Sequence, residues 1–222
     1  TRLSERLGPA KTRERLNPYL GAVSRALIDE RAIVNKFIGD GVMAFFNAPI
    51  LPCDDHARAA CRAALAARDA VARLSDAAGL VNEDDRLHVR VGLATGDVFV
   101  GDYGTDTKLD YTCIGDTVNV ASRLERANKA IGTQVLVDGG TRHAAGEGFL
   151  FRPVGRLQVA GRLGPVECWE LLGLTNDTDD SQRVYAQAFA DVVRLFESGR
   201  WQDCVAALET CRSLRAGDPM LN

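Results

Sequence analysis

The segment from Ile33 to Phe46, IVNKFIGDGVMAFF, has two short apolar runs on either side of a Gly-Asp-Gly turn centred on Asp40. This pattern predicts a β-hairpin, because glycine tolerates a positive φ and an aspartate side chain can hydrogen-bond the turn backbone. Side chains alternate along a strand, so Val34, Lys36 and Ile38 are expected on one face. Taken alone, Asp40 is most simply a turn residue. Lys36 is most simply a lysine whose aliphatic stem lies on apolar neighbours while its ammonium reaches water.

Strand and helix patterns are mixed along the rest of the chain. A second hairpin is expected in HVRVGLATGDVFVG, with strands at 88–94 and 98–100 and a turn at 95–97, followed by a polar loop at 101–108. Further strands are expected at 109–114, at 133–137 and twice within 149–172, with helices at 54–74 and 118–130. Because hairpins and helices occur together, the predicted class is α+β rather than a doubly wound parallel sheet.

The polar acidic run TNDTDDS marks the expected domain boundary. We predict one large domain at 1–173, a linker at 174–181 and a helical hairpin within 182–222. The two helices of the hairpin are expected at 182–197 and 201–214. This last segment resembles one tetratricopeptide unit, which would give its helices a protein partner. The alternative is a plain helical hairpin with no binding role.

Charge and cysteine content narrow the class of protein. The 27 basic and 30 acidic residues give a net charge of -3, so nucleic acid and anionic membrane surfaces are not expected as main partners. Six cysteines occur without a CxxC pair, as is usual for reduced thiols. Cys53, His56 and Cys61 lack a fourth ligand nearby, so zinc is not expected. A cytoplasmic location is predicted, since no export signal or spanning segment occurs.

Asn119 and Arg123 stand four positions apart near the start of the helix that follows Thr117. Residues at this spacing project from one face. A helix N-terminus carries partial positive charge and free backbone donors, which suits a phosphate. An asparagine and an arginine there can bind a sugar and a phosphoryl group, although a surface hydrogen-bonded pair is the simpler reading of these two residues alone.

Three motifs carry a resemblance to a known family. In order and separation, KFIGDGVMAFF, RVGLATGDVFVG and YTCIGDTVNVASRLE resemble the catalytic domain of class III nucleotidyl cyclases, the adenylate and guanylate cyclases. The similarity runs from Arg2 to Gly173. It implies a ferredoxin-like palm in which two copies pair head to tail and share active sites. Many relatives are tethered to membrane sensors, so this chain is also expected as the cytoplasmic part of a larger membrane-bound protein.

By this resemblance Asp40 corresponds to the family's second metal-binding aspartate, in a site for two Mg²⁺ or Mn²⁺ ions. Lys36 and Thr112 correspond to the two purine-selecting positions. Adenine presents a ring-nitrogen acceptor beside an amine donor, which a lysine and a threonine hydroxyl can match. Guanine presents a ring N–H instead, and relatives that use GTP carry an acidic residue at the Lys36 position. The expected substrate is therefore ATP.

The resemblance assigns three further roles. Asn119 would orient the ribose, Arg123 would stabilise the transition state, and Arg162 would contact the polyphosphate. The implied reaction is attack of the ribose 3′-hydroxyl on the α-phosphorus, which yields 3′,5′-cyclic AMP and pyrophosphate. Asp40 would act from one protomer, and its mate would supply the base-reading and transition-state residues, so a homodimer is expected.

Two departures from the family pattern leave an alternative open. The family's first metal-binding aspartate lies on a strand just before the TRLSERLG segment, and these 222 residues start after that position, so the fragment as given is expected to be inactive. Asp97 stands where some relatives carry a phosphate-binding arginine. The competing hypothesis is a non-catalytic cyclase-homology module for dimerisation and signal relay. A diguanylate cyclase or polymerase palm shares the architecture but lacks its signature here.

Overall fold

The structure, a computed structural model, describes residues 2–79, 86–158 and 164–221. In chain order the strands are β1 (Ile33–Ile38), β2 (Gly41–Phe45), β3 (Val91–Leu93), β4 (Phe99–Thr105), β5 (Lys108–Ile114), β6 (Val135–Asp138), β7 (Phe149–Leu157) and β8 (Val166–Leu174). The helices are α1 (Arg2–Asp29), α2 (His56–Ala77), α3 (Asp116–Ile131), α4 (Gly139–Ala145), α5 (Asp180–Glu197) and α6 (Trp201–Leu214). The predicted α+β class is confirmed, with strands in hairpins and a mixed sheet.

The chain divides into two compact units. The first comprises Thr1–Val89 and Phe99–Ile114, and the second comprises Arg90–Val98 and Gly115–Asn222. The first unit therefore holds helices α1 and α2 with the β1–β2 and β4–β5 hairpins, while the second holds the four-stranded sheet and the remaining helices. No described helix is both long enough and apolar enough to cross a membrane.

The predicted hairpin around Asp40 forms in the first unit. Strands β1 and β2 pair antiparallel up to Ile38 and Gly41, and Gly39 takes a φ of 66° in the turn. The register shifts between Val34 and Lys36, which makes Asn35 the extra residue of a β-bulge. The expectation of strict alternation along β1 is therefore wrong at this point, because a bulge locally re-aims the side chains of the longer strand.

The second predicted hairpin is wrong. Strand β3 pairs parallel with β6, whereas β4 starts at Phe99 and pairs antiparallel with β5 along its whole length. A Cβ on Gly96 would lie 2.7 Å from the Thr117 hydroxyl, so this glycine allows close approach of α3 instead of closing a hairpin. The predicted loop at 101–108 is mostly strand. Most side chains of β4 are exposed, so this strand lacks the apolar run by which a strand is predicted from sequence.

The second unit is built on a sheet of order β3-β6-β8-β7. Helix α3 packs on it through Val120 and Leu124, which meet Leu136 of β6 and Cys168 of β8 in one buried cluster. Buried Asn128, near the end of α3, donates through Nδ2 to the Val91 carbonyl at 2.9 Å. These contacts fix the helix to the sheet and so set the direction in which its first turns point.

The helices α5 and α6 form the predicted hairpin, and α5 packs against β7. Between them and the sheet lies Arg152 of β7, only 2% exposed. Its guanidinium is ion-paired with Glu170 of β8 and with Asp218 at 2.6 Å, and it donates to the Tyr185 hydroxyl of α5 at 2.8 Å. Burial raises the pKa of Glu170 even though Arg152 opposes the shift. The helical pair is thus joined to the sheet by a buried charge network.

Arg152→Ala is expected to lower the free energy of unfolding by about 3–5 kcal/mol, because two buried carboxylates would lose their cation. Urea denaturation measures this change. Arg156→Ala on the same strand is the matched control, since Arg156 lies 3.9 Å from Glu197 in an exposed pair and should contribute less than about 1 kcal/mol. Equal effects of the two substitutions would contradict the role given to the buried network.

Candidate active site

The first group of site residues lies on the two hairpins of the first unit. Lys36 of β1 points to β5, where its Nζ is 3.6 Å from Asp110 Oδ2. Thr112 stands two positions further along β5, so it shares a face with Asp110. The structure therefore brings Lys36 and Thr112 to one stretch of β5. Asp40 lies at the exposed tip of the β1–β2 hairpin.

Two residues that contact this group, Asn35 and Asp110, were not predicted from the sequence. The Thr112 hydroxyl donates to Asn35 Oδ1 at 2.9 Å, and Asn35 Nδ2 donates to the Tyr111 carbonyl at 2.6 Å. Asp110 is the ion-pair partner of Lys36. A polar amide in the apolar run of β1 was a signal for Asn35, but strict alternation placed it on the face away from Lys36. The bulge at Asn35 is what brings both side chains toward β5.

The second group lies on α3, in the second unit. Thr117 in the first turn donates to the Asp97 carbonyl at 3.4 Å, so the Asp97 segment lies at the start of this helix. Asn119 is exposed, and Arg123 follows one turn later on the same side of the helix. Arg123 Nη1 is shielded from water and has no hydrogen-bond partner among the described residues.

An unpaired buried donor is unusual, because buried polar groups nearly always have a partner. Leaving one unsatisfied costs roughly 1–3 kcal/mol, more when the group is charged. Nη1 of Arg123 is therefore free to donate to an anionic acceptor, which the described residues do not supply. A phosphoryl oxygen near the first turns of α3 would satisfy it, and the helix N-terminus would favour the same charge.

Metal binding is predicted for Asp40. Its exposed carboxylate forms no ion pair with another described residue. Among residues 2–79, 86–158 and 164–221 there is no group of three or more His, Cys, Asp or Glu able to hold a metal ion. Mg²⁺ often keeps several waters and is bound by one or two carboxylates together with substrate phosphates. The chemistry of Asp40 fits that mode of binding better than a site made of protein ligands alone.

Arg162, the predicted polyphosphate ligand, lies outside the described residues. The other five predicted site residues are described and fall into the two groups above. Lys36, Asp40 and Thr112 belong to the first unit, and Asn119 and Arg123 belong to the second. Their individual roles stay predictions.

Comparison with known proteins gives one consistent answer. Residues 1–173 match the sequence profile of the family described as the adenylate and guanylate cyclase catalytic domain. Adenylate cyclase 1 of Rhizobium meliloti is 34% identical over 185 residues, which is 82% of this chain and 27% of that protein. The adenylate cyclase of Anabaena cylindrica is 31% identical over 62% of this chain and 27% of its own length. The chain thus spans about a quarter of these relatives.

Solved structures agree with the sequence matches. The adenylyl cyclase CyaB from P. aeruginosa superposes with a TM-score of 0.71 at 31% identity, covering 80% of this chain and 90% of that one. The guanylyl cyclase Cya2 superposes with a TM-score of 0.63 at 27% identity, covering 79% and 87% of the two chains. The predicted likeness of α5 and α6 to a tetratricopeptide unit stays a prediction.

Proposed function

The chain belongs to the family of adenylate and guanylate cyclase catalytic domains, and from this premise we propose that it converts ATP to 3′,5′-cyclic AMP and pyrophosphate. The observation that carries the choice of ATP is that Lys36 of β1 reaches Asp110 of β5, two positions from Thr112 on the same strand. The lysine ammonium only donates hydrogen bonds, whereas a hydroxyl can accept one. This pair matches the ring nitrogen and the exocyclic amine of adenine.

Guanine is a poor match to the same pair. Its ring nitrogen carries a proton, which Lys36 cannot accept, and the ammonium would face that N–H without a hydrogen bond. A site built around hydrogen bonds rejects a mismatched partner strongly, because its own polar groups are left unpaired. Asp110 Oδ2 lies 3.6 Å from this ammonium in an exposed ion pair, which contributes little to the position of the ammonium.

The α3 residues would act on the sugar and the phosphates. Asn119 is exposed one turn before Arg123 and would hold the ribose so that the 3′-hydroxyl lies in line with the α-phosphorus. The unpaired Nη1 of Arg123 would donate to the α-phosphoryl oxygens as negative charge develops there. In the reaction the 3′-oxygen forms a bond to the α-phosphorus, the bond to the bridging oxygen breaks, and pyrophosphate leaves.

Asp40 would bind Mg²⁺ or Mn²⁺ together with triphosphate oxygens. When bound, such an ion lowers the pKa of the 3′-hydroxyl and neutralises charge on the triphosphate. We further propose that Asp40 acts from one copy of the chain, while Lys36, Thr112, Asn119 and Arg123 act from a second copy. Arg162 would contact the polyphosphate. The working unit is then a homodimer with shared sites.

The substitution Lys36→Glu in the full-length protein tests the base-reading role. We expect kcat/KM for ATP to fall about a hundredfold, since a carboxylate cannot donate to the adenine ring nitrogen. The measurement is initial rates with ATP and GTP, each with Mg²⁺ and Mn²⁺. Lys129→Glu makes the same charge change at an exposed position in the last turn of α3 and should change kcat/KM less than about threefold.

Two outcomes would contradict the proposal. Unchanged ATP turnover in the Lys36→Glu protein would remove the argument for adenine selection. Absence of turnover of either nucleotide by the unmodified full-length protein, with either metal, would favour the non-catalytic relay module instead.

A further inference from the structure

We propose that Asn35 sets the direction of the Thr112 hydroxyl, so that this hydroxyl accepts a hydrogen bond from the exocyclic amine of the substrate base. Asn35 is then a positioning residue for base selection, acting through Thr112. The inference rests on the proposed function and assigns a further residue to its specificity.

The bulge in β1 makes this contact available. Val34 pairs with Ala44 and Lys36 with Met43, which leaves Asn35 without a cross-strand partner. A regular strand would turn Asn35 and Lys36 to opposite faces. In the structure both reach β5, Asn35 at Tyr111 and Thr112 and Lys36 at Asp110. An irregularity of this kind is a common way to aim a side chain at a functional position.

The orientation of the Asn35 amide follows from its partners. The Tyr111 carbonyl oxygen can only accept, so the group 2.6 Å from it must be the amide NH₂ of Asn35. The amide oxygen therefore faces Thr112, at 2.9 Å from its hydroxyl. An amide oxygen can only accept, so the hydroxyl must donate its one proton there. A backbone group thus determines, through one amide, where the Thr112 proton lies.

With its proton engaged, the Thr112 oxygen has only lone pairs left for a ligand. It can accept from an amine but cannot donate to a carbonyl. Adenine carries an amine at the position where guanine carries a carbonyl oxygen, so the fixed hydroxyl favours adenine. A freely rotating hydroxyl would satisfy either group. Thr112 is 6% exposed, so water can do little to compensate a wrong match.

Asn35 and Asp110 thus each contact one member of the base-reading pair. Asp110 lies 3.6 Å from the Lys36 ammonium in an exposed ion pair, and Asn35 accepts the proton of the Thr112 hydroxyl. Lys36 then presents donors and Thr112 an acceptor beside the same part of β5. Loss of Asn35 should weaken discrimination by the base while leaving the rest of the substrate bound as before.

The test uses the full-length protein and three substrates: ATP, GTP and purine riboside triphosphate, which lacks the exocyclic amine. We expect Asn35→Leu, which is similar in size, to raise kcat/KM for GTP about tenfold, the usual worth of one hydrogen bond, because the released hydroxyl can then donate to the guanine carbonyl. With ATP and with purine riboside triphosphate the change should be less than about threefold, because a rotating hydroxyl still accepts from the adenine amine and purine riboside has no group there. The ratio of ATP to GTP turnover should therefore fall about tenfold.

Thr112→Val provides the matched second variant, since it keeps the shape of the side chain and removes the hydroxyl. It should lower the preference for ATP over purine riboside triphosphate about tenfold, because the acceptor for the amine is gone. If Asn35 acts through that hydroxyl, adding Asn35→Leu to Thr112→Val should not raise GTP turnover.

Three results would overturn the inference. A parallel loss with all three substrates in Asn35→Leu, with the ratio of ATP to GTP turnover unchanged, would show a structural role only. An unchanged preference for ATP over purine riboside triphosphate in Thr112→Val would show that the hydroxyl does not read the amine. A gain in GTP turnover from Asn35→Leu that persists in the double variant would show that the two residues act separately. In each case ATP turnover by the unmodified protein would leave the proposed function standing, whereas no turnover at all would remove both.

Discussion

Replacing Arg123 by alanine in the full-length protein is expected to lower kcat about 10²- to 10³-fold while KM for ATP changes less than about threefold. The reason is that Arg123 would meet its acceptor fully only when charge develops on the α-phosphoryl oxygens. Its Nη1 has no partner among the described residues, so the side chain already holds a donor free for this step. Steady-state rates over a range of ATP concentrations separate kcat from KM.

The same unpaired donor makes a second readout available. Since an unsatisfied buried donor costs roughly 1–3 kcal/mol, removal of Arg123 should leave the free energy of unfolding unchanged or raise it by up to that amount. Arg126→Ala, an exposed position on the same helix, should alter neither stability nor kcat appreciably. A loss confined to KM, or a large loss of stability in Arg123→Ala, would argue against stabilisation of the transition state.

The substitution Asp40→Asn should reduce cyclic AMP formation by at least about 10²-fold, because a neutral amide is a poor ligand for Mg²⁺ or Mn²⁺. Asparagine keeps the size of the side chain and suits the turn next to Gly39, so the hairpin should be retained. The measurement is the rate of cyclic AMP formation as a function of metal concentration, with dimer content checked by sedimentation.

Asp106→Asn is the matched control for Asp40, because Asp106 is likewise an exposed aspartate at the tip of a hairpin, between β4 and β5. Its substitution should leave activity within about twofold of the unmodified protein. If Asp40→Asn kept full turnover, or if the two aspartates behaved alike, the metal-binding role of Asp40 would be wrong.

Local patterns were enough to predict the class of the fold and several of its elements. The Gly-Asp-Gly signal gave the β1–β2 hairpin, and the helical pattern at 201–214 matches α6 residue for residue. The resemblance of three motifs identified the family, and the comparisons confirm it. The predicted division at 174–181 stays a prediction; in the structure α5 and α6 belong to the same compact unit as the four-stranded sheet.

What the sequence did not predict depends on contacts between distant segments. The Thr-Gly-Asp run at 95–97 resembled a hairpin turn, but its glycine serves the approach of Thr117 of α3. The Asn35 contact depends on a bulge, and a one-residue irregularity has no clear signature in an apolar strand. Asp110 is the partner of Lys36 only because folding brings β1 beside β5, which are distant in sequence.

The charge network around Arg152 links residues 1–173 to the helices that follow them. A chain trimmed to residues 1–173, the span of the family match, would keep Arg152 and Glu170 but discard Tyr185 and Asp218. The face of β7 that α5 covers would then be exposed to solvent, and Arg152 would keep only one of its two carboxylate partners. Grafting residues 1–173 onto another protein therefore calls for carrying α5 and α6 with them, or for redesigning that face of the sheet.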